Sequence, residues 1–386
     1  MTSQMPSDSN ISDDRLRVLL IDDSVVVRGL LRKIIDQTGD IKVVATAMDG
    51  KMGVQQYKAC RPDVVLMDVE MPVMNGIESL QAILELDPLA RVIMCSSLTQ
   101  KGADMAIRAL QAGAIDCLAK PSSHAIERGI DFEQQLLMML RNVAHAKPDA
   151  LRKAASPAGT ASQNRLQKRL GHDDDDVQLR PFPAAFEGSR PRVLSIGSST
   201  GGPTALKEIV PFLKPDIHVP VFITQHMPAG FTKLLADSLN THSPFPVQEG
   251  ADGMIVKPGQ VYIAPGGMHM TVEQRGIDYV IVLDDSPPVH YCKPSVDVML
   301  DSILATYKTG IVSVIITGMG EDGLAANRRV IEQSDKNILI AQDALTSVVW
   351  GMPGAVAKAG LCHKLVSISN IAPVINQLLA GRRPLF

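Results

Sequence analysis

The sequence predicts two doubly wound α/β domains in tandem, an N-terminal parallel sheet of five strands followed by a C-terminal α/β domain with a different chemistry. Three observations carry this. Short β-branched runs alternate with amphipathic stretches through most of the chain. The alternation dissolves once, from about Arg141 to Pro191, into Ala, Pro, Ser, Gln and Arg with an acidic run at Asp173–Asp176. At 386 residues the chain is long for one core and ordinary for two.

In the first half the strand candidates are Val18–Ile21, Val43–Thr46, Val64–Met67, Val92–Cys95 and Ile115–Leu118. Helical patterns fall between them, as at Ser24–Asp36 and Gly76–Leu86. Near-continuous apolar strands of this kind are buried on both faces, which is the signature of a parallel sheet covered by helices. After the polar stretch, read as a solvated connector with His172 no more than a polar neighbour of its acids, order returns at Arg192. The second set of strands is Val193–Ile196, Val221–Thr224, Val261–Ala264, Ile281–Leu283, Ile311–Ile316 and Ile338–Ala341. Helical patterns include Val296–Tyr307 and Gly323–Glu332, and Gly266–Asp284 has hairpin character.

Composition narrows the function classes. Apolar residues make up 45%, charged residues 20%, and the formal net charge is −3, which gives no electrostatic reason to expect nucleic acid as a partner. Five cysteines (Cys60, Cys95, Cys117, Cys292, Cys362) lack pairing or metal-ligand spacing and fit a reducing compartment. The segment Met1–Arg15 is polar and acidic, and no apolar run approaches the roughly 20 residues of a membrane span. The expectation is a cytosolic monomer without membrane insertion.

Ligands of an open parallel sheet gather at the carboxyl ends of its strands. Asp22 and Asp23 end the first strand, Asp68 the third, Ser96 the fourth and Lys120 the fifth. Clustered carboxylates repel, and a hard divalent cation such as Mg2+ relieves them through oxygen ligands. One carboxylate is then placed to accept a phosphoryl group, with the lysine and the serine hydroxyl available to its oxygens.

The second domain carries Gly197-Ser198-Ser199-Thr200-Gly201-Gly202 between a strand and a helix. Its first five residues match G-x-S-x-G, in which a sharp turn exposes a serine hydroxyl; a glycine-rich turn of this kind also suits phosphate. His226, after the second strand, reaches the same edge and is the preferred general base over His269 and His290. Asp322, in Met319-Gly320-Glu321-Asp322-Gly323, is the candidate orienting acid; Asp297 is its main rival, with Asp284, Asp285, Asp343 and Glu321 behind. The order Ser, His, Asp differs from the Ser, acid, His order of α/β-hydrolases.

These residues carry two resemblances. Asp22-Asp23, Asp68 within Met67–Pro72, Gly76, Ser96 and Lys120-Pro121 resemble the receiver domain of two-component response regulators. Gly197–Gly202, Gln225–Pro228, Lys293–Asp297 and Thr317–Gly323 closely resemble the catalytic domain of the CheB family of chemotaxis protein-glutamate methylesterases. The resemblance implies a disordered tail over 1–15, a receiver over 16–143, a linker over 144–190 and a methylesterase domain over 191–386. It implies phosphorylation of Asp68 by a histidine kinase, with the Glu70 carbonyl joining Asp23 and Asp68 on the metal. It also implies hydrolysis of glutamate methyl esters, and deamidation of glutamines, on methyl-accepting chemotaxis receptors, with no cofactor at the hydrolase site. Ser199 becomes the nucleophile, His226 the base and Asp322 the orienting acid, with Thr200 and Met319 as candidates for stabilising the oxyanion. The aromatic residue that many receivers carry near the lysine is absent from Ile115-Asp116-Cys117-Leu118. The competing reading is a phosphorylation-dependent binding regulator serving a different receptor, or one whose hydrolase site is vestigial.

Overall fold

The computed structural model describes residues 14–97, 99–120, 130–146 and 177–384. The predicted tail falls almost wholly outside these residues, and so do Pro121, His172 and most of the predicted linker.

The N-terminal unit is a five-stranded parallel sheet of β1 (Leu16–Ile21), β2 (Ile41–Ala47), β3 (Val64–Asp68), β4 (Val92–Ser96) and β5 (Asp116–Ala119) in the order β2-β1-β3-β4-β5. Its helices are α1 (Val25–Asp36), α2 (Gly50–Cys60), α3 (Gly76–Leu86), α4 (Gln100–Gln111) and α5 (Ile130–Ala144). β3 and β4 are buried along their whole length, as their unbroken apolar character requires. Local chemistry sets the helix starts. Ser24 accepts from the Val27 N–H at α1, and Asn75 and Glu78 form a reciprocal capping box at α3.

The C-terminal unit has a seven-stranded parallel sheet in the order β14-β13-β12-β6-β7-β9-β8. Its central strands are β6 (Val193–Ser198), β7 (Val221–Gln225), β12 (Ile311–Ile315) and β13 (Ile338–Gln342); β8 (Val247–Glu249), β9 (Val261–Ile263) and β14 (Lys364–Val366) are short. A separate antiparallel hairpin joins β10 (His269–Arg275) to β11 (Asp278–Asp284), in the region where hairpin character is predicted. The helices are α6 (Gly202–Ile209), α7 (Phe231–Asn240), α8 (Val296–Tyr307), α9 (Leu324–Gln333), α10 (Gly351–Lys358) and α11 (Ile368–Leu379). β8 and β14 are absent from the sequence-based expectation because Val247–Glu249 and Lys364–Val366, unlike β9, do not form apolar runs.

Both sheets reverse their winding direction next to their first strand, between β1 and β3 in one and between β6 and β12 in the other. Crevices form where the crossovers part, so each domain gains a cleft at the carboxyl edge there. The two units also touch: α4 packs against α7 and α6, and Gln111 Nε2 donates to Ser238 Oγ at 3.0 Å.

Gly76 shows how tightly the first cleft is built. A Cβ there meets the Asp68 carbonyl oxygen at 2.1 Å, so only glycine lets α3 start against the end of β3. Gly76→Ala is expected to cost about 1–3 kcal/mol by overpacking, read as a lower denaturant midpoint of the first unfolding transition.

Candidate active site and phosphoacceptor site

At the first cleft, Asp22 and Asp68 are buried and Asp23 is exposed, and one carboxylate oxygen from each lies within 4.8 Å of the others. Lys120 Nζ bridges the buried pair, 2.7 Å from Asp22 Oδ2 and 2.7 Å from Asp68 Oδ2. Burial pushes the Asp68 carboxyl upward and the nearby Asp22 charge adds to this, while Lys120 pulls against both. The ammonium loses hydration on burial, but the two carboxylates outweigh that and raise its pKa. Ser96 is buried at the end of β4, and Glu70 presents its N–H to Asp68 Oδ1 at 3.4 Å. Each residue predicted for this site therefore stands at the same edge. The all-oxygen donor set and its unbalanced negative charge fit a hard divalent cation.

The second cleft is organised by turns that follow β6, β7 and β12. Ser199 leaves β6 with its N–H on the Thr317 carbonyl at 3.0 Å, and its own carbonyl accepts from Gly202 at 2.8 Å. Gly201 adopts φ +77°, the left-handed backbone that this sharp entry into α6 needs. His226 follows β7 with its N–H on the Ser198 carbonyl at 3.0 Å. One buried amide ties these two turns: Gln225 Nε2 donates to the Ser199 and His226 carbonyls at 2.9 and 3.1 Å, and Ser198 Oγ donates to Gln225 Oε1 at 2.6 Å. Gly318 lies against Ser199, so close that a Cβ at that glycine meets the serine Cβ at 2.8 Å; Met319 follows directly.

His226 Nε2 donates to Asp322 Oδ2 at 2.8 Å. The same carboxylate accepts from Ser295 Oγ (2.8 Å), the Val296 N–H (2.6 Å) and the Asp297 N–H (3.0 Å), the opening turn of α8. Burial raises the Asp322 pKa, but His226 and the helix N–H groups outweigh it, and the carboxyl titrates below its ordinary value. Asp297, the rival acid, instead accepts from the Ala326 N–H at 2.7 Å and pairs with His290 at 3.4 Å. Glu321 is exposed. His269 is fully buried, held by the Ser295 N–H and the Pro287 carbonyl.

The imidazole nitrogen opposite Asp322 is engaged by a residue that the sequence gives no reason to place there. Cys292 Sγ lies 3.4 Å from His226 Nδ1. Burial disfavours the charged imidazole, yet its Cys292 and Asp322 neighbours outweigh it and push the pKa up to about 10. Gln225, Ser295 and Cys292 are the functional neighbours missed from sequence. The first two sit inside the quoted motifs, and only the fold shows what they hold.

The N-terminal unit packs against this cleft through β5. Asp116 of β5 is buried with its carboxyl facing the Thr200 hydroxyl, near enough to interact but outside hydrogen-bond geometry. Burial pushes the Asp116 pKa up to about 6. Met319 and Val348 pack against the apolar cluster that contains Ile115 and Leu118.

Residues 194–375 match the CheB methylesterase family model and residues 18–127 the response regulator receiver domain. A protein-glutamate methylesterase/protein-glutamine glutaminase of Paramagnetospirillum magneticum is 41% identical over 380 residues, 96% of this chain and 97% of the relative. The chain belongs to the CheB methylesterase family. A second relative with that enzyme name, from Azospirillum brasilense, is 41% identical over 375 residues, covering 94% of this chain and 93% of its own. The crystal structure of the Thermotoga maritima CheB methylesterase catalytic domain is similar at 38% identity, with a TM-score of 0.47, covering 49% of this chain and all (100%) of that one. In this CheB family member, then, the two clefts belong to a receiver and a methylesterase domain.

Four outcomes are expected. Asp322→Ala removes the imidazole's partner and leaves α8 donors buried without acceptors, lowering esterase turnover by roughly 10³- to 10⁴-fold and stability by about 1–3 kcal/mol. A base whose pKa is raised stays protonated to higher pH, so esterase activity is expected to climb with pH along a limb above the ~6.5 of an ordinary histidine. Cys292→Ala removes one cause of the rise and moves that limb to lower pH. The closed arrangement favours protonated Asp116, because a raised folded-state pKa means that ionisation opposes burial. Small-angle scattering is expected to show the wild type expanding as pH rises through about 6, and Asp116→Asn remaining compact.

Proposed function

We propose that the chain hydrolyses glutamate γ-methyl esters on methyl-accepting chemotaxis receptors, releasing methanol, under the control of phosphorylation at Asp68. The Ser199–Gln225–His226–Asp322 arrangement at one strand edge carries this reading. Ser199 Oγ attacks the ester carbonyl and passes its proton to His226. Asp322 holds the imidazole through Nε2, so the serine proton goes to Nδ1, the nitrogen that Cys292 Sγ meets in the resting chain. Collapse of the tetrahedral intermediate expels methanol, which takes the proton back, and water then hydrolyses the acyl-enzyme through the same base. Backbone N–H groups of Thr200 and Met319, beside the nucleophile, stabilise the oxyanion. Attack on a glutamine carboxamide runs identically and releases ammonia, in keeping with the double name of the relatives.

Asp68 is the phosphoacceptor in this reading and a histidine kinase the donor. Asp22, Asp23, Asp68 and the Glu70 carbonyl would hold Mg2+, which would supply charge neutralisation for the phosphoryl transfer. Lys120 and Ser96 then meet the phosphoryl oxygens, which carry about −1.5 to −2 charges. Lys120 bridges Asp22 and Asp68 beforehand, so its exchange onto the phosphoryl group starts the rearrangement at β5, which also bears Asp116. We assign residues 16–143 to the receiver, 144–190 to a linker, 191–386 to the hydrolase, and 1–15 to a tail outside both. Among the described residues, no helix is long and apolar enough to cross a membrane.

The test is methanol release from methylated receptor membranes. Wild type is expected to release methanol faster with a small-molecule phosphodonor and Mg2+, Ser199→Ala to release none, and a fragment lacking Met1–Pro191 to be active without phosphodonor. An inert but folded fragment would exclude inhibition by the receiver.

A further inference from the structure

Two clusters of possible metal ligands occur among the described residues, and their chemistries differ. The receiver cluster is all oxygen. The other combines His226, Cys292 and Asp322, whose ligand atoms lie within 4.8 Å of one another.

Its geometry is that of a soft-metal site. A tetrahedral zinc ion with Zn–S of ~2.3 Å and Zn–N of ~2.0 Å sets its sulfur and nitrogen ligands about 3.5 Å apart. Cys292 Sγ and His226 Nδ1 are 3.4 Å apart. Asp322 already holds Nε2 at 2.8 Å, the carboxylate–histidine pairing that orients imidazole ligands and raises their basicity. Its remaining bonds to Ser295, Val296 and Asp297 keep it in that outer role. The sulfur is fixed too. Val289 and Cys292 exchange both backbone hydrogen bonds, at 3.1 and 2.8 Å, around a two-residue turn of His290 (φ 50°) and Tyr291 (φ 62°). Left-handed backbone at two successive side-chain-bearing residues is costly, and it is retained where it aims the thiol at the imidazole. Cys292 is half-buried and Tyr291 exposed, so an ion can enter from solvent.

We propose that Cys292 Sγ and His226 Nδ1 bind a zinc-class divalent cation, completed by water, which switches the esterase off. The proton shared by the thiol and the imidazole leaves to solvent as the ion binds. Sulfur and nitrogen donors select zinc over magnesium, so the ion that serves the receiver does not occupy this site. Inhibition follows because the metal occupies the nitrogen that takes the Ser199 proton. That consequence rests on the esterase reading; binding of the metal does not.

The test uses full-length protein and Co2+ as a spectroscopic substitute for zinc. Wild type and Asp68→Asn are expected to develop a thiolate-to-cobalt charge-transfer band that Zn2+ bleaches, and Cys292→Ala none. Zinc is expected to halve wild-type methanol release at a concentration at least roughly tenfold below that needed for Cys292→Ala, with chelator restoring activity. A missing band in wild type, a band that persists in Cys292→Ala, or equal zinc sensitivity of the two proteins overturns the proposal. A band dependent on Cys292, in a protein that releases no methanol even without zinc, supports the metal site and sinks the esterase reading instead.

Discussion

The carboxylate of Asp322 is the point on which the hydrolase cleft depends. It is buried, yet it accepts one bond from an imidazole, one from a hydroxyl and two from the first turn of α8. A lone buried carboxylate is costly; one that closes a helix N-terminus is stabilised by donors that themselves lack partners. The anion thereby fixes three things at once: the start of α8, the turn after β12 and the tautomer of His226. Asp297, in the first turn of α8, does the same for α9 through the Ala326 N–H. Two successive helices are thus docked by carboxylates at the edge where the chemistry lies.

The same economy governs the receiver cleft with the charges reversed. There the excess is negative, and Lys120, coming from the far end of the sheet, links the two buried acids. Parallel topology makes both clefts possible, since every strand delivers its last residue to the same side. One strand also touches both clefts: β5 carries Asp116 toward Thr200 and ends one residue before Lys120.

Most of this edge chemistry was legible in the sequence, because strand ends can be read from apolar runs and the residues just beyond them named. Asp22, Asp68, Ser96, Lys120, Ser199, His226 and Asp322 were found in that way. Cys292 was not, because it lies in an irregular turn whose path no periodicity records, 66 residues from the histidine it meets. Asp116 was visible only as one residue of a stretch, Ile115–Leu118, that lacks an aromatic, since contact between domains leaves no pattern in either. The assignment of the orienting acid was open between Asp322 and Asp297, and the partners of each carboxylate, invisible in sequence, separate them. Short strands β8 and β14 and the helices beside them follow from tertiary pairing more than from local preference.

The amide of Gln225 has a consequence for control. Its two donated bonds clamp the backbone of the Ser199 turn to that of the His226 turn. A movement of the receiver can uncover these turns without changing the spacing between them. The clamp therefore makes the two turns one rigid piece, so that a displacement of either turn carries the other with it.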